Sequence, residues 1–343
     1  MKITIGMLAK QLGVSISTVS NALNNKGGVS PETREKILSL AKELGYPIEN
    51  HLQKRDKNFS KKIGVLFPWH STVADPNYYI SEVLVGVEEQ IRQEGFSLLI
   101  ESFQNVSVLP ELLNQNLEGL LLIGGQFPEE FIVELAQCDY PVLTIGTFTT
   151  KVPLHSVVAD NQAGAYQAVT HLLKLGHRNI GFINGPAATR SSHSKMEGFK
   201  QALSDFGLDI RDAWITSSEF KVESGYELAK QLISLKNRPT ALFAADDPIA
   251  IGVIKGLQDH GLSVPEEMAV VGFGNSPTGK YISPSLTTID VFQRKLGNHG
   301  ARRLMELIQQ RRNGVAKEDI DTYRLVFSTR LVVRDSCGAG GRS

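Results

Sequence analysis

Residues 5–46 read IGMLAKQLGVSISTVSNALNNKGGVSPETREKILSLAKELGY, and this stretch predicts three short helices in close succession. The first helix carries its apolar residues at helical spacing and stops before Gly13, a residue that breaks helices. Ser15 is placed to cap the second helix, and Ser30 to cap the third. The pattern therefore predicts a small all-helical domain at 1–46.

The second predicted helix has two different sides. Its core side is apolar, whereas the other side carries short, polar, uncharged residues: Ser17, Thr18, Ser20, Asn21 and Asn24. Hydroxyl and amide groups can hydrogen-bond base edges and phosphates in the major groove of DNA. Two helices joined by a glycine-containing turn are typical of a helix-turn-helix, in which the second helix reads the DNA. A three-helix bundle without a role in DNA binding would show the same apolar pattern.

The charge distribution points in the same direction. Over the whole chain 36 Lys and Arg residues balance 36 Asp and Glu residues, so the net charge is zero. Residues 1–62 nevertheless hold eleven basic and five acidic side chains, a net charge of +6, and the rest of the chain therefore carries −6. A basic segment favours a nucleic acid or another anionic surface as partner, although a solvated basic face would give the same count.

Residues 5–46 resemble the DNA-binding domain of the LacI/GalR family of bacterial repressors. The resemblance rests on three runs, which are VSISTVS at 14–20 with Asn24 behind it, VSPETR at 29–34 and LGY at 44–46. It implies that Ile16, Ser17 and Asn21 read bases. It also implies that phosphates are held mostly by Ser15, Thr18, Ser20, Asn24, Ser30 and Thr33. The family usually has Arg at the position of Asn21, and because Asn suits adenine whereas Arg favours guanine, we expect an operator changed at that base.

Residues 47–62 are polar, basic and poor in apolar side chains, which predicts a linker. In the family this segment forms a hinge helix on DNA and inserts a Leu into the minor groove. This chain departs from the pattern, because Arg55 stands at the Leu position. Leu52 could act as a substitute wedge, Arg55 could enter the groove through its charge, or the segment could be a disordered tether. Lys54 and Arg55 are expected to contact phosphates.

From residue 63 onward the pattern changes to short apolar runs that alternate with amphipathic helices. Strands are predicted at 63–67, Gly119–Ile123 and Val142–Ile145, and a second series of helices and strands begins after Asp160. This alternation predicts parallel sheets with helices on both faces. The expected fold class is α/β, in which an N-terminal all-α helix-turn-helix domain precedes two doubly wound subdomains whose facing strand ends form a cleft.

This second part resembles the family's effector domain, which has the periplasmic sugar-binding fold. The matching runs are spread along the chain and include VADN at 158–161, NGP at 184–186, FAADD at 243–247, VVGF at 270–273 and PSLTTI at 284–289. Family topology implies an effector-binding and dimerisation domain at 63–335, with its first half at 63–160 and 291–320 and its second half at 161–290 and 321–335. The remaining residues, 336–343, are predicted to form a disordered tail.

By position in the family, the cleft should be lined by Asn77, Tyr79, Ile80, Lys195, Phe220 and Asp247, with Asn275 as a further polar group. A sugar site needs an aromatic face and charged groups that bind hydroxyls in pairs. Phe220 can supply the first, and Lys195 with Asp247 the second, although Lys195 replaces the family's Arg and acts as a point charge. Two family carboxylates are missing, since Gly146 and Gly274 stand in their places. Their loss suggests a larger ligand, an acidic or phosphorylated ligand, or a site that relies on other groups.

Catalytic and metal-binding signatures are missing from the sequence. Cys138 and Cys337 stand in no metal-ligand spacing, the eight His residues form no HxxxH or HExxH motif, and the Gly-rich runs match neither a phosphate loop nor a dinucleotide fingerprint. We therefore expect no enzymatic activity, no metal and no cofactor.

No apolar run approaches the roughly 20 residues of a membrane helix, and the N-terminal sequence is not a signal peptide, so we expect a cytoplasmic protein.

These observations predict a sequence-specific transcriptional regulator, namely a repressor of a carbohydrate-utilisation operon that responds to a sugar or sugar phosphate in the cleft. One reading helix contacts too few base pairs to find its site among millions of competing ones, so we expect a homodimer on a pseudo-palindromic double-stranded operator. The alternatives are a sensor of a non-sugar or phosphorylated metabolite or of a co-regulator protein, a solute-binding protein without a regulatory role, and an enzyme on the same fold.

Overall fold

The computed structural model of this chain describes residues 5–23, 29–44, 61–68, 78–103 and 110–339. The chain divides into two compact units, 1–61 and 62–343. None of the described helices is both long and apolar enough to cross a membrane. The predicted linker at 47–62 lies outside the described residues, apart from its last two, Lys61 and Lys62.

The first unit contains the three predicted helices: α1 (Ile5–Leu12), α2 (Ile16–Leu23) and α3 (Pro31–Glu43). Both predicted caps are present. Ser15 Oγ accepts a hydrogen bond from Thr18 N at 3.0 Å, and Ser30 Oγ accepts one from Thr33 N at 3.3 Å. A single apolar cluster joins the three helices through buried side chains that include Leu8, Val19, Leu23, Ile37 and Ala41.

Where the structure describes it, the second unit contains two parallel sheets, and the larger one has six strands. In chain order these are β1 (Lys62–Pro68), β2 (Ser97–Phe103), β3 (Gly119–Ile123), β4 (Val142–Ile145), β5 (His155–Ala159) and β11 (Arg324–Phe327). Their order in the sheet is β11-β5-β4-β3-β1-β2, and every pairing is parallel. Helices α4 (Tyr78–Gln93), α5 (Glu129–Leu135) and α10 (Gln293–Arg312) belong to this half.

The second sheet has four parallel strands in the order β7-β6-β8-β9. These are β6 (Ile180–Asn184), β7 (Ile215–Ser217), β8 (Ala241–Ala244) and β9 (Ala269–Val271). The helices of this half are α6 (Asn161–Lys174), α7 (Arg190–Asp205), α8 (Val222–Ile233) and α9 (Asp247–Asp259). Its core contains the stacked ring of Phe182, whose centroid lies 5.0 Å from that of Phe199 and 4.8 Å from that of Phe243. The predicted arrangement of two doubly wound halves is confirmed.

Within the described residues the chain passes between the two halves three times: after β5, after β10 (Thr288–Asp290) and between β11 and β12 (Arg330–Val332). Strands β10 and β12 pair antiparallel. The crossings are tied to one another, because Asp160 N donates to Phe327 O at 2.8 Å and Arg330 forms an ion pair with Asp290 at 3.2 Å. The carboxyl ends of both sheets face the cleft beside these crossings, which is where ligands bind in doubly wound folds.

Two predicted boundaries are wrong. Residues 321–335 do not belong as one piece to the second half, because β11 pairs in parallel with β5 and so completes the edge of the first sheet. The predicted disordered tail at 336–343 begins too early, because Ser336 and Cys337 are buried. Ser336 Oγ donates to Val270 O at 2.7 Å and accepts from Thr287 N at 2.9 Å, so this end of the chain is fastened to the second half.

Candidate functional site

The predicted DNA-reading helix α2 begins with an exposed isoleucine. Ile16 keeps 62% of its surface exposed, which leaves its methyl groups free to contact a thymine methyl. Asn21 lies further along the same helix and is half-buried. The backbone of Ser17 and Ser20 belongs to α2, but their side chains lie outside what the structure describes.

The predicted phosphate ligands lie at the starts of two helices. The Ser15 and Thr18 hydroxyls are 2.7 Å apart at the start of α2, and the Ser30 and Thr33 hydroxyls are 2.8 Å apart at the start of α3. Helix N-termini favour phosphate because their backbone N–H groups and dipoles point toward it. The other predicted residues of this interface, Asn24, Leu52, Lys54 and Arg55, lie outside the described residues.

A cavity of about 140 Å³ lies between the carboxyl ends of the two sheets, and we call it the central cavity. Of the predicted effector residues, it is lined by Tyr79, Ile80, Lys195, Phe220 and Asp247. It shares Pro68, Gly125, Gln126 and Thr189 with a wider groove of about 960 Å³ that leads toward Phe148 and Arg190. Asn77 lies outside the described residues.

Asn275, the other predicted effector residue, does not line the central cavity. Its Oδ1 accepts a hydrogen bond from Arg334 Nη2 at 2.6 Å, and its N–H donates to Thr288 Oγ1 at 3.2 Å. Its backbone has a φ of 53°, a left-handed conformation that Asn tolerates better than most residues. The side chain therefore connects the strand end to the C-terminal segment, and its predicted place in the cleft is corrected.

Lys195 on α7 is the most unusual polar group of the central cavity. Only 5% of its surface is exposed, and its Nζ lies 4.5 Å from the ring centroid of Phe273 and 5.6 Å from that of Phe220. Burial lowers the pKa of this amine to about 8, and the nearby Asp246 carboxylate opposes that shift. Among the described residues, no acceptor forms a hydrogen bond or ion pair with Nζ. The ammonium group therefore faces the cavity with its donors available.

Two adjacent aspartates follow strand β8, at the start of helix α9, and have different roles. Asp246 is the cap of α9, since its Oδ1 accepts from Ile249 N at 2.9 Å, and burial raises its pKa to about 7. Asp247, the predicted sugar ligand, accepts from Ser276 N and from Thr288 Oγ1, both at 2.5 Å, and burial raises its pKa to about 6. Both oxygens of Asp247 thus already brace the cavity wall, whereas the sequence reasoning missed Asp246, the carboxylate that interacts with Lys195.

The two positions where the family has carboxylates, Gly146 and Gly274, differ in their surroundings. A Cβ on Gly146 would overlap the hydroxyl of Tyr79, whose pKa is raised by burial, and the φ of Gly146 is +86°. Gly274 has a φ of +125°, a Cβ there would lie 3.8 Å from Gln293 Nε2 and 3.9 Å from Asp247 Oδ2, and its carbonyl accepts a hydrogen bond from the side-chain amide of Gln293. Gln293 was not predicted as a site residue, because it begins α10 and reaches the cavity only through the fold.

Phe220 forms the aromatic wall of the central cavity. Its ring packs directly on Gly185, where a Cβ would overlap ring atoms Cε1 and Cζ. Gly185 in turn is held by Asn184, whose Oδ1 accepts from Gly185 N at 2.9 Å and whose amide donates to Ser192 O at 3.1 Å. The ring therefore rests on a rigid support, which suits a flat platform for the apolar face of a ligand.

The mouth of the cleft carries a contact between the two halves. Arg190 on α7 forms an ion pair with Glu129 on α5 at 3.0 Å, and Glu129 also accepts from Thr149 Oγ1 at 2.8 Å. The Phe148 ring lies beneath two guanidinium groups, at 4.6 Å from that of Arg190 and 3.3 Å from that of Arg324. These residues join the first and second halves at the open side of the wider groove.

The described residues contain no group of three or more His, Cys, Asp or Glu side chains that could hold a metal ion. Cys138 and Cys337 are free thiols. Cys337 Sγ is buried within 3.2 Å of His171 Nε2 and 3.1 Å of Thr287 Oγ1, where it serves packing at the C-terminal end of the chain.

Comparison with known proteins agrees with both units. The sequence profile of the bacterial regulatory proteins of the lacI family matches residues 4–47, and that of the periplasmic binding protein-like domain matches residues 169–337. The HTH-type transcriptional repressor PurR of Salmonella paratyphi B is 30% identical over 344 residues, which cover 98% of this chain and 97% of PurR. Catabolite control protein A of Priestia megaterium is 29% identical over 342 residues, which cover 98% of this chain and 99% of that protein.

Solved structures show the same similarity. The complex of the transcriptional regulator CelR with cellobiose superposes with a TM-score of 0.73 at 26% identity, over 97% of this chain and 99% of CelR. The lac repressor dimer bound to operator and the anti-inducer ONPF superposes with a TM-score of 0.70 at 25% identity, over 98% of this chain and 99% of the repressor chain. This protein therefore belongs to the LacI family of bacterial DNA-binding transcriptional regulators.

Proposed function

We propose that this protein is a homodimeric repressor of a carbohydrate-utilisation operon, and that its affinity for a pseudo-palindromic operator is set by an uncharged sugar in the central cavity. The single observation that carries the choice of ligand is the buried Lys195, whose ammonium donors face the cavity beside the Phe220 ring and the Asp246 carboxylate. An aromatic face together with one donor group and one acceptor group is the chemistry that recognises a sugar ring.

The charges around the cavity support a neutral ligand. Lys195 interacts with Asp246, and the Arg334 charge stabilises the Asp247 carboxylate, so the two positive and two negative groups offset each other. An added anionic group would lie near both aspartates as well as the lysine. Phosphorylated sugars are the second candidate, because Lys195 has no direct ion-pair partner within the described structure and could form one with a phosphate.

In the proposed mechanism, the dimer couples the sugar site in the central cavity to the DNA-binding domain. A sugar that contacts both halves stabilises the closed cleft, and the operator affinity changes only if the DNA-bound and DNA-free forms bind that sugar with different affinity. Support for the dimeric state comes from the lac repressor dimer on its operator, a relative that superposes along nearly the whole chain. Support for sugar as the ligand class comes from the CelR complex with cellobiose.

A thermal-shift screen tests the ligand class. Neutral mono- and disaccharides are compared with the corresponding phosphate esters, for the wild type and for Lys195→Met. We expect stabilisation of the wild type by a neutral sugar and a much smaller shift for Lys195→Met. Stabilisation by the phosphate ester alone would favour the second candidate, and stabilisation of both proteins alike would place the ligand outside the central cavity.

Selection of bound duplexes from a randomised DNA pool tests the DNA-binding part, with sedimentation equilibrium to measure the stoichiometry. We expect enrichment of a palindrome bound by two chains. Retention of all duplexes alike, with affinity governed by salt alone, would contradict sequence-specific regulation.

A further inference from the structure

The wider groove is continuous with the central cavity, since the two share part of their lining. An apolar cavity of about 150 Å³ holds one benzene molecule, so the central cavity, at about 140 Å³, has room for roughly one six-membered ring. The wider groove, at about 960 Å³, leaves room for a second ring. A ligand longer than one ring therefore has to extend from the central cavity into the wider groove.

Helix α7 presents different residues to these two compartments. Ser191 and Lys195, four residues apart, line the central cavity, whereas Arg190 and Ser194, also four residues apart, line the wider groove. Residues four apart lie on the same face of a helix, and consecutive residues are turned by about 100° from each other. Thr189, the cap of α7, lines both compartments. One helix therefore forms a wall of the central cavity and a wall of the wider groove.

Two consecutive residues between β7 and α8 are divided in the same way. Phe220 lines the central cavity, and Glu219, which is exposed, lines the wider groove. Because the Phe220 ring is the proposed platform for a sugar ring, the Glu219 carboxylate follows that platform on the groove side. On the first half, Gln126 lines both compartments, and its amide group can donate as well as accept hydrogen bonds. These groups suit the hydroxyls of a second ring.

The charges of the wider groove favour a neutral second ring. Among the Lys, Arg, Asp and Glu residues of its described lining, Arg190 forms an ion pair with Glu129, and Glu219 adds one negative charge. A phosphate would be repelled by this charge, whereas sugar hydroxyls can donate to the carboxylate in charge-assisted hydrogen bonds. We propose, on the basis of the proposed sugar site, that the ligand is a neutral oligosaccharide of at least two units. Its first ring lies in the central cavity, and its second ring lies in the wider groove against Gln126, Ser194 and Glu219.

The second ring lies between groups from both halves, since Gln126 follows β3 in the first half, whereas Ser194 and Glu219 belong to the second half. It therefore adds contacts that favour the closed cleft. Hydrolysis of the oligosaccharide to single sugars removes these contacts. The protein thus distinguishes the intact oligosaccharide from the products of its hydrolysis.

Calorimetric titration of the full-length protein tests this proposal by comparing single sugars with the disaccharides built from them. The pairs are glucose with cellobiose and maltose, galactose with lactose, mannose with mannobiose, and xylose with xylobiose. We expect at least one disaccharide to bind about tenfold or more tightly than its component sugars, because two or three added hydrogen bonds contribute about this much. A single sugar that binds as tightly as every disaccharide containing it would overturn the proposal and leave the proposed function intact. Absence of binding by all these sugars would overturn both.

Ser194→Tyr tests where the second ring lies, because a bulky side chain at this position fills the wider groove and not the central cavity. We expect it to weaken binding of the preferred disaccharide by about tenfold, to the level of the single sugar, whose own affinity should change much less. Retained binding of the single sugar also shows that the variant is folded. Glu197→Tyr is the matched control, since Glu197 is exposed on the same helix and lines neither compartment.

Glu219→Gln gives a second readout without added bulk. It removes the charge of the acceptor and should weaken disaccharide binding several-fold, with little change for the single sugar. Disaccharide affinity that neither Ser194→Tyr nor Glu219→Gln lowers would overturn the placement of the second ring. Equal losses for the single sugar and the disaccharide in both variants would overturn it as well, because they would show that the substitutions act on the central cavity.

Discussion

The hydroxyl of Tyr79 occupies the space that a side chain at position 146 would need. A Cβ on Gly146 would overlap Tyr79 Oη and lie 3.2 Å from Cζ of the same ring. The φ of +86° at Gly146 adds a second reason for glycine at this position. The carboxylate that the family has at position 146 therefore cannot be present together with Tyr79 in its observed position. Glycine at position 146 lets the Tyr79 hydroxyl form this part of the cavity wall.

Gly146→Asp should reduce the free energy of unfolding by about 2 kcal/mol or more, since backbone strain and overpacking add. Denaturant unfolding measures the loss. Gly207→Ala is the matched control, because Gly207 has a φ of +66° and no neighbouring atom within 4 Å of a Cβ, so it reports strain alone. Equal losses for the two variants would show that Tyr79 does not restrict position 146.

Lys195→Met should change how stability depends on pH. The folded-state pKa of Lys195, about 8, lies below the ordinary value of 10.5, so the unfolded chain binds more protons between these two values. The wild type should therefore gain stability relative to Lys195→Met as the pH rises from about 8 to about 10.5, and the variant should have its largest advantage below pH 8. Melting temperatures across this range measure the difference, and a constant difference would contradict the lowered pKa.

Phe220→Ala should lower the affinity for the sugar found in the thermal-shift screen by at least about tenfold, which corresponds to about 1.4 kcal/mol of lost ring contact. Operator binding without sugar should stay unchanged. Tyr281→Ala serves as control, because Tyr281 is 86% exposed and does not line the central cavity. Sugar affinity that survives in Phe220→Ala would mean that the ring is not the platform.

Asn21→Ala should relax the base preference at one position in each half of the operator. Because Asn21 carries no charge, the dependence of affinity on salt should stay nearly the same, whereas loss of a phosphate contact lowers that slope by about one. Binding to a set of singly substituted operators at several salt concentrations separates the two effects. A uniform loss of affinity on all sequences would argue against base reading by Asn21.

Removal of the contact between Glu129 and Arg190 should weaken sugar binding only a few-fold, because exposed ion pairs are weak and screened by salt. Glu129→Gln is the test, and the effect should shrink at 1 M salt, where the Debye length is about 3 Å. Glu197→Gln is the control, since its ion pair with Lys200 lies within one helix and one half. Similar effects of the two substitutions would show that the cleft does not close through this pair.

Much of the secondary structure could be predicted from the pattern of apolar residues in the sequence. The predicted strands Gly119–Ile123 and Val142–Ile145 coincide with β3 and β4, since every residue in both is buried. Strand β5 was missed because it begins with His155 and Ser156, two polar residues that only the assembled fold buries. Likewise, β11 and β12 are separated by two residues but belong to different sheets, and local patterning carries no information on such pairing.

The site was predicted by position more reliably than by chemistry. Family resemblance brought Tyr79, Lys195 and Phe220 to the central cavity, and the structure places them there. Resemblance did not distinguish Asp246 from Asp247. Asp246 interacts with Lys195, whereas both oxygens of Asp247 accept hydrogen bonds from the protein. Two adjacent aspartates look equivalent in the sequence, because they differ only in the direction of their side chains. Hydrogen-bond partners that lie far apart in sequence decide these roles.

The three crossings between the halves act together as a mechanical constraint. Because the Asp160–Phe327 hydrogen bond and the Asp290–Arg330 ion pair tie them side by side, they resist sliding of one half along the other and leave rotation about their common line as the easiest displacement. A given rotation produces a displacement that grows with distance from this line, as along a lever. A small movement of atoms around a bound molecule is therefore enlarged at the outer ends of the two halves.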